Sequence, residues 1–196
     1  MKSLISKAIP AALLAISLSC AVAAPAQTAA FDANALMLLL SSHPPGKATF
    51  VETKTLAMLK KPIVSEGELR YDPPGKLTMI TRTPKAESMV IDGDTLVRQA
   101  DGKTGRIKLD DYPEVAGMIE GIRGSLGGNR MLLEQHYHLE VSGSSSEWRM
   151  RLTPKDSRVS RFIKQLDVSG LGSTIRAIDI LQADGDSSHM AITPQP

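Results

Sequence analysis

Cysteine is nearly absent: the 196 residues contain one, Cys20. It falls inside an apolar N-terminal run, Ala8 to Ala23, which Lys2 and Lys7 precede. A short basic region followed by an apolar stretch of this length is the pattern of a secretory signal rather than of a spanning helix. Small-x-small cleavage signals occur at Ala21-Val22-Ala23 and at Ala24-Pro25-Ala26. The second avoids a proline directly after the cut, which gives residues 1–26 as signal peptide and 27–196 as a single mature domain. A lipid anchor on Cys20 would want leucine three positions earlier, where Ser17 stands. With Cys20 removed, disulfides and zinc–thiolate centres are excluded from the mature chain. That suits a protein exported to a bacterial periplasm.

Aromatic residues are sparse at 4%, and the charge excess is small, +2 over the whole sequence. Of the 23 Lys and Arg residues, Lys2 and Lys7 lie in the signal and none of the 21 acids does, so the mature chain balances at 21 and 21. A neutral chain is poorly suited to neutralising phosphates, which argues against nucleic acid as a partner. After the signal no apolar run is long enough to span a bilayer as a helix.

What is present is alternation. In Ile63-Val64-Ser65-Glu66-Gly67-Glu68-Leu69-Arg70-Tyr71 every second residue falls on one side, with Glu66, Glu68 and Arg70 on the other. Period two is the signature of a half-buried strand. Asp72-Pro73-Pro74-Gly75 then supplies turn chemistry before Leu77 and Met79 begin another strand. Further strands are predicted over about 48–59, 76–82, 87–92, 95–100, 104–109, 160–168, 174–183 and 187–193, with hairpin signals at Asp92-Gly93, Asp101-Gly102 and Asp184-Gly185. Tyr137, Leu139 and Val141 alternate with His136, His138 and Glu140, and Trp148, Met150 and Leu152 with Glu147, Arg149 and Arg151.

Two helices interrupt this pattern. One runs over Phe31 to Ser42, started by Asp32 or Asn34 and stopped by His43-Pro44-Pro45-Gly46. The other covers Pro113 to Leu126, where Gly117, Gly121 and Gly124 predict a broken or mobile helix. About ten antiparallel strands with two helices to place against them predict a mainly β fold: a curled sheet forming a half-open β-barrel, with the helices as a lid over a cavity.

The order "FDANALMLLLSS", "ATFVETKTLAMLKKPIVSEGELRYDPPGKLTM", "TPKAESMVIDGDTLV", a glycine-bearing helix, "EWRMRLTP" and "GDSSHMAI" resembles the outer-membrane lipoprotein carrier family, the LolA-like periplasmic proteins. The resemblance covers nearly the whole mature chain. It implies an unclosed antiparallel barrel covered by helices, whose apolar cavity carries acyl chains from the inner toward the outer membrane. The family pattern places an arginine before the proline between strands two and three, where it helps hold the lid. Here that neighbourhood is Tyr71-Asp72-Pro73-Pro74, with Arg70 and Lys76 as the nearest bases, so the chain looks like a divergent branch.

The expected cavity residues are Leu69, Tyr71, Leu77, Met79, Met89, Ile91, Trp148 and Met150, with Leu36, Leu40, Met118, Ile119 and Ile122 covering them from the helices. Methionine, flexible and polarizable, suits a cavity that must adapt to a ligand. The expected partners are an acylated cargo (lipoprotein, glycolipid or lipid-like molecule), an inner-membrane donor complex and an outer-membrane acceptor met in transient contacts, with the carrier a monomer. Neither a cofactor nor a metal is expected. His136, His138 and Glu140 have a spacing that could hold a metal, and read more simply as the wet face of a strand. The Asp92/Asp94 and Asp184/Asp186 pairs lack a twelve-residue calcium loop. No G-x-S-x-G occurs, and His43 and His189 have no local serine-acid arrangement, so catalysis is not expected. The alternatives are a periplasmic sensor or receptor of the same fold that binds a protein partner, and a hydrolase of lipid or glycan substrates.

Overall fold

The computed structural model describes residues 31–42 and 46–195. The signal segment expected over residues 1–26, and the helix stop at His43-Pro44-Pro45, lie outside the described residues.

Eleven strands form one antiparallel sheet. They are β1 (Gly46–Thr55), β2 (Ile63–Asp72), β3 (Lys76–Thr83), β4 (Glu87–Asp92), β5 (Thr95–Ala100), β6 (Lys103–Lys108), β7 (Tyr137–Gly143), β8 (Trp148–Pro154), β9 (Ile163–Leu171), β10 (Thr174–Gln182) and β11 (Ser187–Pro194). Their order across the sheet is β6-β5-β4-β3-β2-β1-β11-β10-β9-β8-β7. The first strand pairs with the last, Phe50 opposite Ile192, and joins two meanders into one surface whose ends, β6 and β7, have no further strand beside them among the described residues. The sheet is therefore a curled half-barrel and not a closed one. Three of its hairpins turn where Asp-Gly pairs stand: β4–β5 at Asp92-Gly93, β5–β6 at Asp101-Gly102 and β10–β11 at Asp184-Gly185. Asp101 and Gly102 both take positive φ, 54° and 70°, the geometry whose twist matches that of the flanking strands.

Four helices are described: α1 (Ala33–Ser41), α2 (Pro113–Leu126), α3 (Arg130–His136) and α4 (Ser157–Ser160). Asp32 caps α1 by accepting the Ala35 N–H at 2.9 Å, and Asn129 caps α3 by accepting that of Leu132 at 3.0 Å. The strand expected to run on to residue 59 stops at Thr55, and residues 56–62 form an exposed loop. His136 ends α3 instead of beginning a strand with His138 and Glu140; all three are exposed.

One half of the concave face is solid. Leu36, Met37 and Leu40 of α1 insert beside Leu133, Tyr137, Trp148, Met150, Leu152, Leu166 and Val168, all buried. Fully burying a side chain of this kind stabilises by roughly 1.5–3 kcal/mol, so α1 holds its place by packing rather than by its own short length. The turn after α2 fixes where it sits. Gly128 (φ 59°) lies so close beneath α1 that an added Cβ would fall 2.4 Å from the Met37 carbonyl oxygen.

Helix α2 is continuous over fourteen residues, which corrects the expectation of a broken helix. Its glycines are a packing surface: a Cβ on Gly117 would meet Val159 at 2.9 Å, on Gly121 Leu166 at 3.0 Å, and on Gly124 Leu133 at 2.6 Å. Three glycines on one face let α2 lie close against α3, α4 and β9, and the tertiary contact outweighs their low helix propensity. Gly121→Leu should lower stability by about 1–3 kcal/mol in urea unfolding, because the new side chain enters a filled contact.

Candidate functional site

The other half of the concave face is not filled. Between α2 and strands β1–β5, β10 and β11 lies a cavity of about 1160 Å³. Cross-strand register builds its wall in rows: Leu69 opposite Met79, Met79 opposite Met89, Leu77 opposite Ile91, and Ile178 opposite Met190. Because side chains alternate across a strand, each such pair puts two apolar groups side by side on the concave face. The roof comes from one side of α2, through Val115, Met118, Ile119, Ile122 and Leu126. The glycine side of the same helix points to the packed core.

Of the residues expected around a cavity, Leu69, Tyr71, Leu77, Met79, Met89 and Ile91 line this one, and Met118, Ile119 and Ile122 cover it. Trp148, Met150, Leu36 and Leu40 do not. Trp148 is 2% exposed, lies against Gly170, and donates its indole N–H to the Gly172 carbonyl at 2.8 Å. Met150 is fully buried in the core with Leu36 and Leu40. Trp148 and Met150 face the same side of the sheet as the cavity residues, but α1, through Leu36 and Leu40, fills the space in front of them.

The wall is graded from one end to the other. Near α2 it is mainly apolar, though Lys47, Arg70, Glu114 and Gln195 also line the cavity. Toward the β1–β2 loop it carries Glu52, Lys54, Ser65, Thr81, Glu87, Gln182 and Ser188. Glu52 is 6% exposed, and its carboxylate accepts the Ser188 hydroxyl at 2.6 Å and stands 3.2 Å from the Lys54 ammonium. A carboxylate in such a position persists because both oxygens find partners. Glu87, in the same wall, accepts two hydrogen bonds from Arg98 at 2.7 Å, which hold its carboxyl below the usual carboxylate range. Here the cavity reaches the surface, since Lys54, Lys85 and Phe162 line it and are substantially exposed.

A single arginine fastens the roof. Arg123 of α2 donates through Nε to the Gly75 carbonyl at 2.8 Å and through Nη2 to the Gly93 carbonyl at 2.8 Å, while Nη1 meets Glu120 at 3.0 Å. One guanidinium thus joins the helix to the β2–β3 and β4–β5 turns. The arginine that joins roof to wall in this chain therefore stands on the helix and not in the Tyr71-Asp72-Pro73-Pro74 neighbourhood. The Tyr71 hydroxyl lies close by, 3.4 Å from the Pro74 carbonyl, and burial pushes its pKa up, with Arg123 pulling the other way. Sequence reasoning missed both Arg123 and Glu52. The available signal for Arg123 was that it is the one basic residue in a glycine-rich helix whose other charges are Glu114 and Glu120.

Other polar groups lie elsewhere. His189 Nδ1 is 2.6 Å from Asp179, but both belong to the convex face, since their neighbours Ser188 and Met190 line the cavity. Among the described residues no three His, Cys, Asp or Glu side chains converge as a metal site, and no helix is long and apolar enough to cross a membrane.

A single curled antiparallel sheet around an apolar chamber, roofed by one face of a helix, defines the class of open-barrel proteins with an internal cavity. The chain belongs to the family described as outer membrane lipoprotein carrier protein LolA-like, whose model matches residues 23–193. Among solved structures it is similar to a LolA superfamily protein from Nitrosomonas europaea, at 10% identity and a TM-score of 0.45, over 83% of this chain and 91% of that one. It is also similar to a DUF1329 family protein from Desulfovibrio piger (8% identity, TM-score 0.46, 82% and 88% coverage). A third is the Mycobacterium tuberculosis lipoprotein LppX (10% identity, TM-score 0.39, 81% and 93% coverage). No curated protein matches the sequence.

Two substitutions separate cavity from core. Met79→Glu should leave the protein folded by circular dichroism and reduce uptake of a fluorescent fatty-acyl probe at least about tenfold, because a carboxylate would then stand in the apolar wall of the cavity. Met150→Glu should prevent stable folding, since it places an unpaired charge in a filled core. Arg123→Ala should cost about 2 kcal/mol of stability and speed probe uptake, which stopped-flow fluorescence would read.

Proposed function

We propose that this protein is a periplasmic, non-enzymatic carrier that takes up the acyl part of an amphipathic cargo and moves it from the inner toward the outer membrane. The observation that carries this reading is the graded cavity of about 1160 Å³. Its volume exceeds the roughly 300–1,000 Å³ common for small-molecule pockets. An acyl chain lies along the methionine rows under α2, and the polar head rests toward Glu52, Lys54 and Ser188 at the open end. Family membership supports the same direction.

A carrier must also release. Burying each methylene gains about 0.8 kcal/mol, so a fifteen-carbon chain held in full would gain on the order of 12 kcal/mol. The cavity limits this by staying open at the Lys54–Phe162 end, so part of the chain keeps contact with water. The arginine clasp ends on backbone carbonyls of two turns, which water can satisfy when α2 lifts. The wall's methionines, Met79, Met89, Met118 and Met190, can repack around chains of different shape.

The test is a titration with a fluorescent acyl probe, followed by displacement with unlabelled lipids that share one chain and differ in head group. Saturable one-to-one binding is expected, with displacement ranked by head group. Glu52→Gln should flatten that ranking while leaving probe affinity within about threefold, since the variant keeps the hydrogen bond and loses the charge. A wild-type protein that takes up no probe would contradict the carrier reading.

A further inference from the structure

The rim of the cavity's open end is unusual in what it exposes. In the β1–β2 loop Met58 is 87% exposed and Leu59 is 45% exposed. Phe162, just before β9, is 52% exposed and also lines the cavity. These are not scattered side chains. The Ala57 N–H donates to Asp186 at 2.7 Å, which ties the loop to the β10–β11 turn, and the Ala183 N–H donates to the Phe162 carbonyl at 2.9 Å, which ties that turn to the segment before β9. The loop is further shaped by the Leu59 N–H donating to the Leu56 carbonyl at 2.9 Å. Three neighbouring segments therefore form one built edge, and apolar side chains point away from the body at both ends of it.

Cations flank the same side chains. Lys60 and Lys61 follow Leu59, Arg161 precedes Phe162, and all three are exposed. Among the described residues none of them enters an ion pair. Two carboxylates share the edge and keep their charge, Asp186 accepting from Ala57 and Asp184 accepting the Asp186 N–H at 3.0 Å, so the three cations leave the edge basic by one charge. An edge with projecting apolar tips and unpaired basic neighbours matches the chemistry of a bilayer interface, where the tips enter the acyl boundary and the cations meet anionic head groups. Lone apolar residues on a surface need no explanation, but Phe162 lines the apolar chamber and the loop bearing Met58 and Leu59 is tied to its segment through the β10–β11 turn.

We infer that the edge formed by Met58, Leu59, Lys60, Lys61, Arg161 and Phe162 is a docking surface for an anionic lipid bilayer, which seats the mouth of the cavity directly on the membrane. An acyl chain could then pass between bilayer and cavity without crossing water. The surface is separate from the cavity wall near α2, so docking and cargo binding are distinguishable.

The test is co-sedimentation of the protein, as isolated from cells, with vesicles of phosphatidylcholine alone and with added phosphatidylglycerol. Binding should rise with the phosphatidylglycerol fraction and fall as salt is added. Met58→Glu with Leu59→Glu, and separately Lys60→Glu with Lys61→Glu, should each lower partition about tenfold or more. Both double variants should keep acyl-probe binding, and Met79→Glu, which blocks the cavity, should keep vesicle binding. Failure to bind anionic vesicles, or binding that survives both rim substitutions, would overturn the docking surface. Probe binding by the wild type shows independently whether the carrier reading stands.

Discussion

An eleven-stranded sheet that curls without closing has a concave apolar face larger than its helices can fill, and the rest of the molecule follows from how that surplus is divided. Helix α1 fills the β7–β9 half, where Trp148, Met150, Leu152, Leu166 and Val168 become ordinary core. Over the β1–β5 half the cover is α2, whose glycine side is committed to α3, α4 and β9. A helix pressed that tightly on one side cannot also sink into the sheet on the other. The space left beneath it is the cavity.

This division also separates rigidity from adaptability. The filled half is sealed by side chains with little freedom, such as Tyr137, which is 1% exposed and donates its hydroxyl to the Gly117 carbonyl at 2.6 Å. It gives α2 a fixed footing along its glycine side, from Gly117 to Gly124. On the cavity side the helix is held by Arg123 and the carbonyls of Gly75 and Gly93, contacts that lie at turns. A roof anchored in core on one side and clasped to turns on the other suits movement about the anchored side. The polar end of the chamber and the basic, apolar rim beside it lie where such a roof leaves the mouth clear.

Much of this was legible in the sequence. Period-two alternation gave the facing of Leu69, Tyr71, Leu77, Met79, Met89 and Ile91, because strand geometry is local and the Pro-Pro-Gly and Asp-Gly turns keep register from one strand to the next. The same alternation could not separate Met79 from Met150. Both point to the concave face, and the difference is whether α1 sits in front, a fact of tertiary packing. Glu52 was hidden for a related reason: in β1 the inward positions run Ala48, Phe50, Glu52 and Lys54, so the pattern turns from apolar to charged along one strand as the cavity does. The glycines of α2 signalled weakness by propensity and proved to be contact surface, since propensity takes no account of a neighbouring helix or strand. Helix α3 was missed because seven residues carry too little periodicity to stand out.

The central claim is that the unfilled half of the barrel exists to hold an acyl chain. Native mass spectrometry of the protein isolated from its native cells without detergent, with organic extraction of whatever it releases, tests that most directly. The account predicts a bound species whose mass resolves to an amphipathic molecule bearing at least one acyl or similarly long apolar chain. A protein that arrives empty, and that stays empty after incubation with fatty-acyl probes, would contradict it.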